Sequence, residues 1–196
     1  VAIVEASGEY GAAVVSGENT NIDETLIKIP ENTGVLLLQN EISETVNLEI
    51  AKKAKAAGCK VWLNAAPAKK INSAFFSLVD ICIVNRVEAE FYNFINSNKT
   101  HKNLTIIKTL GHEGLELIKP NGKIRKIPAF SVNSISSHGA GDMFIGALAA
   151  RYLIGDTMEN ALLYAQAAAA LFISKAEEER AGITQRAVID FMENNL

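Results

Sequence analysis

Short uninterrupted apolar runs recur along this chain, separated by stretches in which apolar residues return every three or four positions. Val35, Leu36, Leu37 and Leu38 form the first of these runs, and Val61, Trp62 and Leu63 the second. Ile81, Cys82, Ile83 and Val84 form the third, and Leu104, Thr105, Ile106 and Ile107 the fourth. Continuous rather than alternating apolar runs predict strands covered on both faces. After the first run, Ser43 is placed to cap a helix on which Val46, Ile50, Ala54 and Ala57 share a face, with Gly58 closing it. A weaker helical stretch is predicted around 71–78. The alternation predicts an α/β fold: a mostly parallel sheet with helices on both faces.

The second half continues the pattern with variations. Residues 115–118 and 124–127, joined through Pro120, Asn121 and Gly122, predict an antiparallel pair at the sheet edge. Two helices follow, over 141–153 and from Thr157 to 173. The second is apolar nearly all round and is therefore expected to be central. A last amphipathic helix from Thr184 would use Ala187, Val188, Phe191 and Met192. At the other end, 1–4 and 12–15 predict a hairpin around a turn at 7–11. The polar stretch 96–103 reads as a surface loop. These readings divide the chain into a small β hairpin (1–20) and an α/β core (21–196).

Composition excludes more than it selects. The 196 residues are 48% hydrophobic and 21% charged, as in an ordinary globular protein. A net charge of -3 gives no reason to expect nucleic acid or an anionic membrane as partner. No apolar run approaches a membrane span, so a cytoplasmic location is expected. Cys59 and Cys82 both fall in apolar runs read as strands and are expected as buried, reduced thiols. The chain opens at Val1 as if entering a strand already under way, and so reads as a fragment.

Chemistry is expected beyond the carboxyl ends of parallel strands, where open sheets bind ligands. The first strand ends in Gln39, Asn40 and Glu41, the second in Asn64, Ala65, Ala66 and Pro67. The third ends in Asn85, Arg86, Val87 and Glu88, the fourth in Thr109, Leu110 and Gly111. A separate feature is the tetrapeptide Gly139, Ala140, Gly141, Asp142 at a helix start. Small residues there let backbone N–H groups point at an anion, and the helix dipole favours negative charge. A carboxylate beside an anion cradle suits phosphoryl transfer, in which a base takes the proton of an attacking hydroxyl. Taken alone, the tetrapeptide equally fits a turn whose Asp142 merely stabilises the helix.

The combination of motifs resembles ribokinase and its relatives among the phosphofructokinase-B-type carbohydrate kinases. The matching pieces occur in family order: 37–41, 64–68, 85–90, 109–114 and 139–142, the last continued by Met143, Phe144, Ile145, Gly146 and Ala147. The resemblance implies a three-layer fold and ATP-dependent phosphorylation of a small, ribose-like sugar. Asp142 would be the base, and Gly139, Ala140 and Gly141, with the Asp142 amide, the anion hole. Asn85 and Glu88 would hold magnesium through water, Thr109, Gly111 and Gly114 would line the nucleotide site, and Glu41 would accept bonds from sugar hydroxyls. Kinases for another sugar or a nucleoside, or a non-catalytic remnant acting in assembly, are the competing readings. His138 sits where the family has a non-catalytic residue, and Trp62 reads as core.

Three departures from the family pattern qualify these implications. The paired glycines of the family's start precede Val1, so roughly the first third of a full-length member is expected to be missing. Ser136 and Ser137 stand where relatives carry Asp-Thr, and the segment 175–180 lacks the Gly-Ala turn that completes a monovalent-cation site in relatives. Potassium dependence is therefore expected to be weak or absent. The stretch from Glu90 to Leu104 is too short for the family's usual extra helix. Relatives pair through their lids, so the hairpin would be the means to a homodimer.

Overall fold

The computed structural model describes residues 2–4, 10–12, 16–93 and 103–195. Strands β1 (Ala2–Val4) and β2 (Tyr10–Ala12) pair antiparallel, with Ala2 opposite Ala12 and Val4 opposite Tyr10. The second strand thus begins two residues earlier than the apolar pattern suggests. The turn at 5–9 and the stretches 13–15 and 94–102 lie outside the described residues, and with them most of the polar loop at 96–103.

Every apolar run of the first half becomes a strand, and the four lie side by side in chain order. They are β3 (Val35–Gln39), β4 (Lys60–Asn64), β5 (Ile81–Val84) and β6 (Thr105–Thr109), all parallel. β7 (Leu115–Ile118) runs antiparallel to β6, and β8 (Ile124–Ile127) completes a six-stranded sheet. The helices beside these strands are α1 (Glu44–Ala56), the single turn α2 (Ser73–Phe76) and α3 (Arg86–Tyr92). All four β5 residues are buried, and so are Val61, Trp62 and Leu63 of β4. Trp62 is core, as its neighbours predict. β3 departs from the pattern: it lies at one end of the strand order, with Leu38 8% but Leu37 43% exposed. A run of four apolar residues cannot distinguish an edge strand, covered on one face, from a central one.

Smaller corrections have local causes. Ser43 occupies the N-cap of α1 without a side-chain capping bond. Val46, Ile50 and Ala54 are buried as the spacing requires, whereas Ala57 is exposed at the C-cap. Cys59 lies one residue ahead of β4 rather than inside a strand. Both cysteines are free and buried, and burial, with the charge of Glu88 second, pushes the Cys82 thiol far up. Asp80, just before β5, takes two bonds from the Lys55 ammonium (2.9 and 3.0 Å) and one from the Val61 amide (2.8 Å). That anchors the C-terminal turn of α1 to the start of β4.

The remaining helices are α4 (Ala140–Leu153), α5 (Met158–Ile173), α6 (Glu177–Arg180) and α7 (Gln185–Glu193). α5 packs against α4 and α7, with Leu162, Ala165, Ala167 and Ala168 completely buried. Its alanines permit close approach of the neighbouring backbones. Thr157 and Thr184, from which these two helices were expected to run, cap α5 and α7 through their side chains. Gln166, polar in this apolar setting, donates to the carbonyls of Pro128 (2.9 Å) and Ile127 (3.4 Å). Among the described residues no helix is long and apolar enough to cross a membrane.

The chain divides into two interleaved units. A sheet unit holds residues 15–110 and 115–126, and a helical unit holds 1–14, 111–114 and 127–196. This division differs from a hairpin at 1–20 and a core at 21–196.

Candidate functional site

In the sheet unit, parallel register places Gln39 beside Asn64, Asn64 beside Ile83, and Val84 beside Lys108. The polar strand ends therefore share one edge. Glu41 is exposed there and accepts from Gln39 Nε2 at 3.3 Å. Asn40, between them, is 3% exposed and donates through Nδ2 to the Tyr92 hydroxyl (3.0 Å) and the Pro67 carbonyl (3.1 Å). The Tyr92 hydroxyl in turn donates to the Lys69 carbonyl at 2.8 Å and accepts from the Lys69 amide at 3.2 Å. Burial pushes the Tyr92 phenol up, the Lys69 and Asn40 bonds opposing it in part. One hydroxyl thus joins the ends of β3 and α3 to the loop after β4.

Asn85 and Glu88 are brought together by a reciprocal capping box. The Glu88 amide donates to Asn85 Oδ1 (2.9 Å), and the Asn85 amide donates to a Glu88 carboxylate oxygen (2.7 Å). Asn85 Nδ2 reaches the other carboxylate oxygen at 3.0 Å. Glu88 is 6% exposed while Asn85 faces solvent. An Asn followed three residues later by Glu is thus also a helix start, and α3 begins there. Thr109, on β6, donates its hydroxyl to the Val84 carbonyl at 3.4 Å.

In the helical unit, Gly139 forms the N-cap of α4 with φ +78°. A Cβ at this position would lie 3.2 Å from a ring carbon of Phe172. The Ala140 amide donates to the Ser137 carbonyl at 3.2 Å. Of the residues expected in the anion hole, this removes Ala140 and keeps Gly139, Gly141 and Asp142, the last two being first-turn donors with no intrahelical acceptor. The Asp142 side chain is exposed in that same turn. Gly111 and Gly114 bracket a 3₁₀ turn, and both have positive φ. At Gly114 a Cβ would lie 2.1 Å from the Ile127 carbonyl oxygen, so close backbone approach requires glycine whatever binds nearby.

The loop ahead of Gly139 is held from one side by residues the motifs do not contain. Ile135 and Ser136 donate their amides to the Ile173 carbonyl at 2.8 and 3.4 Å. Arg180 donates to the carbonyls of Ser136 (2.9 Å), His138 (3.1 Å) and Lys175 (3.2 Å), with its guanidinium stacked 4.4 Å above the Phe172 ring. Sequence reasoning missed Arg180 and Tyr92. The signal for Arg180 was a basic residue within a segment that departs from the family; for Tyr92, an aromatic one turn beyond Glu88.

Residues 2–181 match the family model of the pfkB family carbohydrate kinases. The chain belongs to that family. Among pfkB proteins it is similar to the ribokinase of Haemophilus influenzae, 29% identical over 208 aligned positions covering 97% of this chain and 67% of that one. It is 31% identical to the ribokinase of Staphylococcus aureus, over 88% of this chain and 62% of that one. The chain thus spans about two thirds of the length of these relatives. Of solved pfkB structures, the ribokinase of Thermotoga maritima superposes with a TM-score of 0.82 at 27% identity, over 98% of this chain and 68% of that one. An Arabidopsis thaliana ribokinase solved with ribose and ATP gives 0.83 at 22% identity and shares the fold. The α/β, ribokinase-like architecture expected from the motifs is therefore the one found.

Proposed function

We propose that this chain carries the phosphoryl-transfer half of an ATP-dependent kinase for a small, ribose-like sugar. The observation that carries the reading is the start of α4. In a pfkB chain, Gly139 turns the backbone so that the Gly141 and Asp142 amides and an exposed carboxylate share one helical turn. Asp142 takes the proton from the attacking sugar hydroxyl, and the two amides receive the negative charge of the transferring group. The positive end of α4 supports both roles. Glu41 accepts hydrogen bonds from the sugar, and Thr109, Gly111 and Gly114 line the nucleotide site.

Magnesium fits this chain beside Asn85 and Glu88. Among the described residues no cluster of three His, Cys, Asp or Glu side chains could ligate an ion directly. Both Glu88 oxygens already accept bonds within the capping box. Asn85 and Glu88 therefore suit an outer-sphere role, holding water on a hydrated ion, as magnesium favours. The ion neutralises phosphate charge when bound.

The test is ATP consumption by the full-length protein across a panel of sugars and nucleosides, wild type beside Asp142→Asn. Loss of roughly two to four powers of ten in turnover with nucleotide still bound supports the general base. No turnover with any hydroxyl acceptor, or an unaffected variant, rejects the reading.

A further inference from the structure

Three backbone carbonyls from two separate loops, those of Ser136, His138 and Lys175, converge on one side chain, Arg180. Carbonyl oxygens aimed at one point repel one another less when a cation sits among them, even where, as at Ser136 and His138, the residues are exposed. The C-terminal end of α5, two residues before Lys175, adds further partial negative charge. A ring of carbonyl oxygens is the kind of site that holds a bare monovalent cation in other proteins. Here a planar guanidinium occupies it, using Nε, Nη1 and Nη2 on one carbonyl each. Its face is covered by Phe172, the same ring that lies against Gly139.

We propose that Arg180 is a built-in cation that orders the 135–139 loop and the start of α4, so that this chain needs no free monovalent ion there. Arg180 is a positioning residue: it touches the loop that sets the α4 N-terminus, and no role in the reaction itself is assigned to it. The fork geometry adds to the charge. A lysine ammonium brings one point charge and cannot span both loops in the same way. The inference gives a physical cause for the weak potassium dependence expected from Ser136, Ser137 and the altered 175–180 segment. Its activity arm rests on the kinase reading above, and its unfolding arm does not.

The experiment compares wild type, Arg180→Ala and Arg180→Lys in potassium, sodium and choline chloride at equal ionic strength. In thermal unfolding, wild type should give one Tm in all three salts. Arg180→Ala should melt lower by roughly 4 °C in choline, with potassium restoring part of the loss. In the kinase assay, kcat of Arg180→Ala should fall about ten-fold in choline while KM for ATP changes little, and potassium or guanidinium ion should recover it. Arg180→Lys should fall between the two. The proposal is overturned if wild type is itself strongly activated or stabilised by potassium. It is equally overturned if Arg180→Ala melts like wild type, or melts lower with no response to any cation. Absence of kinase activity in wild type would reject the kinase reading and leave the unfolding comparison to decide this one.

Discussion

Glu88 and Asn85 close a reciprocal box in which each backbone amide is answered by the other's side chain, at 2.7 and 2.9 Å. The pair therefore has a structural duty before any ligand arrives, and its two roles separate by substitution. Glu88→Gln keeps the capping pattern and loses the charge, whereas Glu88→Ala loses both. Glu88→Ala should cost about 1–2 kcal/mol of stability, read by urea unfolding. Glu88→Gln should unfold close to wild type yet need more magnesium for half-maximal rate. A Glu88→Gln variant with unchanged magnesium dependence would leave the pair a cap alone.

Asp80 gives a pH-dependent prediction. Burial on its own would raise its carboxyl pKa, but the Lys55 hydrogen bond, the Val61 amide and the charges of Lys55 and Lys60 outweigh it. The net direction is downward from 3.8. A carboxyl depressed in the folded state stabilises the fold above its unfolded pKa and loses that contribution as pH falls through the folded value. Asp80→Asn should therefore cost about 1–2 kcal/mol at pH 7, solvent screening keeping it modest. The difference from wild type should shrink as pH drops below 3.8, the ordinary value. Paired urea titrations at pH 7 and pH 3 check it; a gap undiminished at pH 3 would place the effect in packing.

Tyr92 makes a prediction about the strand edge that carries Glu41. Its hydroxyl links Asn40 to Lys69, and its phenol, pushed up by burial from 10.0, stays a hydrogen-bond donor throughout physiological pH. Tyr92→Phe removes only that hydroxyl. It should lower stability by about 1 kcal/mol. Because Asn40 neighbours Glu41, KM for the sugar should rise more than KM for ATP. Equal changes in both would show a general loosening of the unit.

Much of this architecture is legible in the sequence for a simple reason. β4 and β5 are buried on both sides, so nearly every residue reports its environment, and their apolar runs fall almost residue for residue on strands. Thr157 and Thr184 were legible as helix starts because an apolar repeat at helical spacing follows each. β3 was misjudged because apolar content cannot show that a neighbour is missing from one side. α3 escaped notice because its first turn also matches a motif that the family resemblance assigns to a ligand, and its outer positions Val87 and Phe91, 70% and 52% exposed, break the amphipathic pattern. The Arg180 bonds to Ser136 and His138 join residues more than 40 apart in the chain, and local spacing carries no trace of such a partnership.

Gly114 and Gly139 both have positive φ, yet alanine should affect them differently. At Gly114 the new Cβ would meet backbone from three residues, the Ile127 oxygen at 2.1 Å and Pro128 and Ala129 atoms at 2.8 Å. Backbone cannot step aside without moving the turn that follows β6, so Gly114→Ala should cost upwards of about 3 kcal/mol and express poorly. At Gly139 the nearest atom is a Phe172 ring carbon at 3.2 Å, which can shift by a few tenths of an ångström. Gly139→Ala should fold with a loss of about 1–2 kcal/mol, mainly from the left-handed backbone. The ring that must move is the one beneath the Arg180 guanidinium, so the disturbance should reach the start of α4. Turnover at saturating ATP should then fall further than a stability loss of that size explains, while Gly114→Ala, at the proposed nucleotide site, should raise KM for ATP and lose turnover at saturating ATP only in step with folded protein. Activity per folded molecule, with the folded fraction taken from circular dichroism, separates the two; equal specific activities would remove the loop ahead of α4 from the list of rate-setting elements.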